Sequence, residues 1–262
     1  MSSWADRPGA SVETFAALLR RCVERGDEGS MSRILLGLSC GHLLLGDPGV
    51  AARYAEEGHL VAEQTGQAPQ FGLLLFCRAL VQAHLDALEE AMEIAGRDLA
   101  LAIERGNDVA EMVNRRALGF ACLTAGDADA AHRALGPLVE RTRRAGIVEP
   151  GAVRFIPDDV EALISLGRLG EAARALDRFE EACRRTRRAS GLAAAARCRG
   201  LHHAASGDLE AALAALERAL RHHARVPIPF QRARTLLALG IVQRRARRTG
   251  AARASQGGPG GC

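Results

Sequence analysis

The chain has 262 residues, of which 48% are apolar, 25% charged and only 3% aromatic, and it carries a net charge of +4. That length allows one continuous core or two compact domains. The scarcity of aromatics excludes a core of stacked rings and leaves Ala, Leu and Val to build it. The longest apolar runs, such as 72–77 and 34–38, are too short to span a bilayer. Residues 1–10 lack the basic, apolar, small-residue progression of a secretory signal. All 35 basic residues are Arg, so no single Arg stands out. Residues 1–130 hold 11 Arg against 19 Asp and Glu, whereas 131–262 hold 24 against 12. The modest net charge therefore hides an acidic half and a basic half.

In chain order, apolar residues recur at helical spacing over 10–25, 29–45, 48–65, 70–84, 86–105, 108–125, 128–145, 156–166, 169–188, 191–205, 208–224 and 229–247. Strand signals are essentially absent. Six alanines mark every second helix: Ala51, Ala91, Ala131, Ala172, Ala212 and Ala252, separated by 40, 40, 41, 40 and 40 residues. A fixed period in this range is the signature of stacked helical hairpins. Gly46-Asp47, Gly126-Asp127 and Gly207-Asp208 precede three of these alanines, and Gly167-Arg168 precedes a fourth. Gly supplies a left-handed cap to the first helix, and Asp can cap the next. A methyl group at the anchor fits where two helices approach closely beside a tight turn. The expected fold is all-α, a tetratricopeptide-like solenoid over 10–254, preceded by a disordered 1–9 and followed by an aberrant Gly-rich 255–262. Pro150, Gly151 and Pro157 mark the longest connection, and Val226-Pro227-Ile228-Pro229 the next. Neither breaks the period, so neither reads as a domain boundary.

The last repeat is expected to turn at Thr249-Gly250 and begin a second helix at Ala251-Ala252. Gln256-Gly257-Gly258-Pro259-Gly260-Gly261-Cys262 cannot continue it. That ending would leave the preceding helix with an uncovered apolar face, open to self-association. It gives the expectation of a truncated member of a longer protein.

Sequences that could carry chemistry are few. Gly37-Leu38-Ser39-Cys40-Gly41 matches the GxSxG string, but that motif needs a strand-to-helix turn and here it lies inside a helix. Packing is the expected role of its small residues. The sequence shows no electropositive setting that would activate Cys40 as a nucleophile. Seven cysteines, none closer than 15 residues to another, form no CxxC motif and are expected to be small buried hydrophobes. His202-His203 and His222-His223 sit at different heights of one hairpin, roughly 18 Å apart by helical rise, and are expected to be solvent-facing or half-buried. Adjacent acids such as Glu89-Glu90 and Asp158-Asp159 diverge around a helix and make no catalytic pair. The sequence therefore predicts no catalytic, cofactor or metal residues, no enzyme activity and no cofactor.

Arginines gather at equivalent helix ends: Arg143 and Arg144, then Arg184, Arg185 and Arg188, then Arg221 and Arg225. Stacking would align them as a basic edge for an acidic partner. The competing reading is simple compensation of the negative helix ends. Interleaved aromatics for base stacking are missing, so direct nucleic-acid reading by this edge is not expected.

Four stretches look like the helical-repeat region of large LuxR-type regulators of the MalT class. They are Val153-Arg154-Phe155-Ile156-Pro157-Asp158-Asp159-Val160-Glu161-Ala162-Leu163, Ala194-Ala195-Ala196-Arg197-Cys198-Arg199-Gly200-Leu201, Gly207-Asp208-Leu209-Glu210-Ala211-Ala212 and Pro229-Phe230-Gln231-Arg232-Ala233-Arg234-Thr235-Leu236-Leu237-Ala238-Leu239-Gly240. The resemblance implies a cytoplasmic sensor or protein-interaction segment that receives a protein or small-molecule inducer on the solenoid surface. The P-loop that precedes such repeats and the helix-turn-helix that follows them are not in this sequence. ATP hydrolysis and DNA recognition are therefore not carried over. A free-standing adaptor and a non-functional gene remnant are the alternatives.

Overall fold

The computed structural model describes residues 6–147, 149–152 and 154–256, with the side chains of 68–72 and 250–256 outside the description. Twelve helices follow one another among the described residues: α1 (Pro8–Arg25), α2 (Glu28–Leu45), α3 (Pro48–Gln64), α4 (Ala68–His84), α5 (Leu88–Glu104), α6 (Asp108–Thr124), α7 (Ala128–Arg144), α8 (Ile156–Ser165), α9 (Leu169–Thr186), α10 (Ala189–Ala205), α11 (Leu209–His223) and α12 (Pro229–Gln256).

A left-handed backbone residue stands at nearly every turn, at intervals of 20 or 21 residues. Gly26, Gly46, Gly66, Gly106, Gly126, Gly146, Gly167 and Gly207 fill eight of these places, and Asp86 and Arg187 fill two more. Without a Cβ, Gly enters this region freely. The next helix starts at once: Asp27, Asn107, Asp127 and Asp208 each accept the amide hydrogen of the residue three positions on. Asp47 does not cap in this way. Pro48 occupies the first turn there, and the Asp47 carboxylate faces His42 Nδ1 at 3.6 Å.

The alanine ladder has a direct structural meaning. Ala51, Ala91, Ala131, Ala172 and Ala212 are each the fourth residue of an odd-numbered helix and have no solvent exposure. The residue opposite, on the preceding helix, is often small. Ser39 hydroxyl donates to the Ala51 carbonyl at 2.8 Å. A Cβ on Gly200 would lie 3.1 Å from the Ala212 carbonyl oxygen and 2.6 Å from Leu216 Cγ. Backbone and methyl therefore meet where larger side chains would separate the helices.

Packing is of two kinds. Even-numbered helices touch in series, α2 on α4, α4 on α6, α6 on α8, α8 on α10 and α10 on α12. Each odd helix from α3 to α11 packs on the even helix before it and the one after it. The even helices form the inner layer of a solenoid and the odd ones its outer layer. The turn then closes, because α12 also packs on α2. At that closure the ring of Pro229 lies 3.2 Å from where a Gly46 Cβ would stand. A second tie joins Asp6, ahead of α1, to the backbone amide of Ser190 at 3.1 Å and to its hydroxyl.

Both ends of the solenoid depart from the helix bounds that the sequence predicts. Helix α1 begins at Pro8, two residues ahead of the expected start, and residues 1–5 lie outside the described residues. At the other end, the turn expected at Thr249-Gly250 does not form. Helix α12 runs unbroken through it for 28 residues, so Ala252 lies in the same helix as Leu239-Gly240 rather than opening a new one. The run Arg244-Arg245-Ala246-Arg247-Arg248 and Ala251-Ala252-Arg253 favours helix strongly, and one Gly costs only about 1 kcal/mol. Residues 257–262 lie outside the described residues.

Candidate functional site

Closure of the turn leaves a chamber of about 550 Å³, partly open to solvent, between the inner helices. That is within the size range of small-molecule sites, which are mostly apolar with a few placed polar groups. Its walls come from all six inner helices and from the two long connections. The segment after α7 folds inward, bringing Ile147, Pro150 and Arg154 to the chamber, while Phe155 is buried behind it. Glu149 fastens this segment by accepting from Arg188 Nε at 2.9 Å. The segment before α12 places Ile228 and Phe230 on the wall.

Aromatic residues are rare in the chain, yet Phe76, Phe120, Phe179 and Phe230, four of its seven Phe, line this one space. The His84 ring stacks on Phe120 with centroids 4.7 Å apart and tilts against Phe230 at 4.5 Å. Phe120 and Phe230 meet edge to face at 5.9 Å. Burial pushes the His84 pKa down, which keeps the ring neutral in this setting.

The charged groups on the wall are three guanidiniums, Arg116, Arg154 and Arg197, and one carboxylate, Asp158. Arg197 is fully buried and its pKa is lowered to about 10, first by desolvation and then by Arg234. It is tied to Glu161 and reaches Gln231 Oε1 at 3.3 Å. Arg234 takes the remaining acidity, donating to Asp158 at 2.7 Å and to Glu161 at 2.9 Å. Arg197 and Arg234 thus balance Asp158 and Glu161. Arg116 adds positive charge beyond that balance, while Arg154 lies in the field of Asp6 and Glu149. Arg154 donates its Nε–H to the Gly151 carbonyl at 3.2 Å, and desolvation followed by repulsion from Arg116 brings its pKa to about 10. The guanidinium of Arg116 lies 5.5 Å from the centre of the Phe76 ring, a cation–π geometry, and has no ion pair among the described residues.

Some polar atoms of the wall are unpartnered. Arg197 Nε and His223 Nδ1 are buried with no hydrogen-bond partner among the described residues. His223 Nε2 lies 3.0 Å from the Thr235 hydroxyl, which itself donates to the Gln231 carbonyl. The ring nitrogen facing Thr235 is therefore the donor, and Nδ1 carries an unused lone pair.

The sequence-predicted residues fall elsewhere. Arg143 and Arg144 both bind Glu140, Arg184 binds Glu181, and Arg188 is the anchor of Glu149. Arg185, Arg221 and Arg225 are exposed, with no ion pair among the described residues. All lie at or just beyond the ends of outer helices, away from the chamber. Ser39 is buried in mid-helix and spent on the Ala51 carbonyl. His223 departs from the expected half-exposed state: only 5% of it is accessible, because α12 covers it. Among the described residues no three His, Cys, Asp or Glu side chains converge as a metal site. The setting of Cys40 is richer than the sequence shows. Its thiol lies 3.2 Å from that of Cys77, and its pKa is lowered by that contact first, with Arg116 and Arg154 contributing further.

Periodicity did not single out the chamber residues, because Phe76, Leu80 and His84 of α4 and Met112, Arg116 and Phe120 of α6 repeat at the same helical spacing as ordinary core positions, and only closure of the turn brings helices so distant in sequence together. Arg154, Asp158, Ala194, Arg197, Phe230 and Gln231 lie in the stretches quoted for the resemblance above, but nothing in the sequence marked them as residues of one chamber.

No family model and no curated protein matches the sequence. Among solved structures, a tetratricopeptide repeat protein from Parabacteroides merdae is similar at 13% identity and a TM-score of 0.44, over 89% of this chain and 99% of that one. The packing of the twelve helices among the described residues makes the fold an all-α helical-repeat solenoid of antiparallel hairpins. No helix among the described residues is long and apolar enough to cross a membrane.

Proposed function

We propose that the chain is a sensor segment, a helical-repeat module that receives a ligand inside its superhelical turn and presents its outer helices to a protein partner. The observation that carries this reading is the chamber, closed by α12 on α2 and furnished with guanidiniums and rings on an otherwise Ala-rich scaffold. The fully buried Arg197 is costly to desolvate, and its ties to Glu161 of α8 and Gln231 of α12 hold three inner helices around the chamber. The reading accords with the sensor role implied by the LuxR-type resemblance, whose quoted stretches supply Arg154, Asp158, Arg197 and Phe230 to the wall. It assigns no ATPase, DNA-binding or other catalytic activity.

The test is native mass spectrometry of the purified chain after incubation with a protein-free small-molecule extract. A retained low-mass species, released on denaturation, is expected. An empty chain throughout would overturn the sensor reading in favour of an adaptor. One observation favours that second reading: Leu236, Leu237 and Ile241 of α12 are exposed and unpartnered within the described residues, an apolar face available to another protein or to a second copy.

A further inference from the structure

We propose that Cys40 and Cys77 form a hydroperoxide-reactive pair, in which Cys40 takes an oxygen from a small organic peroxide arriving through the chamber and Cys77 closes a disulfide that ties α2 to α4. The two sulfurs lie 3.2 Å apart on inner helices that pack directly on each other. That is only about 1 Å longer than a disulfide bond of about 2.0 Å, a gap of the size that side-chain rotation covers. The two thiols differ in access. Cys40 is half-buried and stands on the chamber wall, whereas Cys77 is fully buried and takes no part in that wall. Among the described residues no other cysteine lines the chamber.

Their surroundings divide the roles. Contact with the Cys77 thiol brings the Cys40 pKa down against desolvation, with Arg116 and Arg154 lowering it further. The same contact, followed by burial, pushes Cys77 well up. Thiolate is the nucleophile, so Cys40 attacks first. Burial pushes the thiols of Cys122 and Cys198 up and that of Cys183 to about 12, which keeps them protonated. In the first step the Cys40 sulfur bonds to the terminal peroxide oxygen and the O–O bond breaks. The departing alkoxide takes up the proton that Cys40 had released. In the second step the Cys77 sulfur bonds to the Cys40 sulfenic acid, the S–O bond breaks, and hydroxide leaves as water with the Cys77 proton. Two thiols lose two electrons to one hydroperoxide, giving a disulfide, an alcohol and water. A hydroperoxide needs only its O–OH end at the sulfur, while its organic body rests on Leu43 and Phe76 of the wall. A peptide disulfide would carry charged groups into that apolar space. Cys77 and Cys40 belong to the cluster where Phe230 of α12 meets Phe76 and Phe120. The disulfide therefore fixes α2 to α4 at the seam where the turn closes.

Treating the reduced whole chain with one equivalent of cumene hydroperoxide tests this, read by intact mass and by alkylation mapping after denaturation. The chain should lose two hydrogens, the linkage should map to Cys40 and Cys77, and Cys22, Cys122, Cys183 and Cys198 should remain open to alkylation. Dithiothreitol should reverse the change. The oxidised chain should melt at a higher temperature, because linking residues 37 positions apart restricts the unfolded chain. Closure should be about tenfold faster with the peroxide than with glutathione disulfide. Cys77→Ser should leave a Cys40 sulfenic acid that dimedone traps, and Cys40→Ser should leave Cys77 unmodified at the same dose. Mapping on the parent chain needs no variant, so a misfolded one does not blunt the test. A pair still reduced under excess peroxide, or oxidation falling first on another described cysteine, would overturn the proposal. Equal or faster closure by glutathione disulfide would overturn the assignment to hydroperoxides. Pair closure needs no chamber ligand, so an empty chain after the extract incubation would sink the sensor reading alone.

Discussion

At the scale of single residues, the most informative positions are those that break a rule. Asp86 and Arg187 occupy left-handed backbone, with φ of 67° and 52°, where eight equivalent turns use Gly. A Cβ in that region costs about 1–2 kcal/mol. Asp86→Gly and Arg187→Gly should therefore each stabilise the fold by about 1 kcal/mol, with part of the gain returned as unfolded-chain entropy. Urea midpoints check this, and a loss of stability would show that these side chains make contacts outweighing the strain. His223 breaks a different rule. Buried against Thr235 and facing Arg197 of α10, Arg232 of α12 and its neighbour His222, it has a pKa lowered from 6.5 to about 4, with desolvation the chief cause. The unfolded chain binds this proton more readily than the folded one. The contribution is thus present above about pH 6.5 and is lost as pH falls towards 4. His223→Gln should unfold less steeply than the parent across that window, as followed by urea midpoints at neutral and acid pH. Identical pH slopes would show that His223 does not set the acid sensitivity.

At the scale of elements, the hairpin was legible because its constraints are local. A turn needs a left-handed residue, a helix start needs a capping oxygen, and a close crossing needs a methyl, and each requirement leaves a mark at fixed spacing. That is why twelve helices and the roles of Ala51 through Ala212 could be read before any coordinates. The exception at Thr249-Gly250 has the same origin. Spacing predicted a turn there, but the helix-favouring residues on both sides carry α12 through it. The close crossings make a sharp prediction. Gly200→Ala would put its methyl 2.6 Å from Leu216 Cγ and 3.1 Å from the Ala212 carbonyl oxygen. The backbone oxygen cannot retreat as a side chain does, so α10 and α11 must separate. A destabilisation of about 1–3 kcal/mol is expected, whereas Gly207→Ala would act through backbone strain alone, because nothing lies near its Cβ. Thermal unfolding with a crystal structure of each variant separates the two causes: a widened α10–α11 pair in the first only.

At the scale of the whole molecule, the property that periodicity could not disclose is closure. Each repeat specifies its angle to the next, but the point at which the turn meets itself is a sum over all of them, and no single residue announces it. An open solenoid has stability that is nearly a sum over neighbours. Here Phe230 breaks that pattern by joining α12 to the cluster containing Leu43, Phe76 and Phe120. Phe230→Ala removes a ring from that junction and should cost about 3 kcal/mol. The distinctive consequence is spatial. Amide hydrogen exchange should quicken in α2 and α4, remote in sequence but adjacent across the closure, as well as in α12. Leu216→Ala, a truncation in the outer helix α11, removes contacts with α10 and α12 and should leave α2 and α4 protected. If exchange in Phe230→Ala rises only from α10 to α12, the turn gains no stability from closing. The chamber would then be an open bore rather than an enclosure. If α2 and α4 respond, the same contacts that shut the chamber also couple its two ends, so a ligand that tightens the wall would be felt at both.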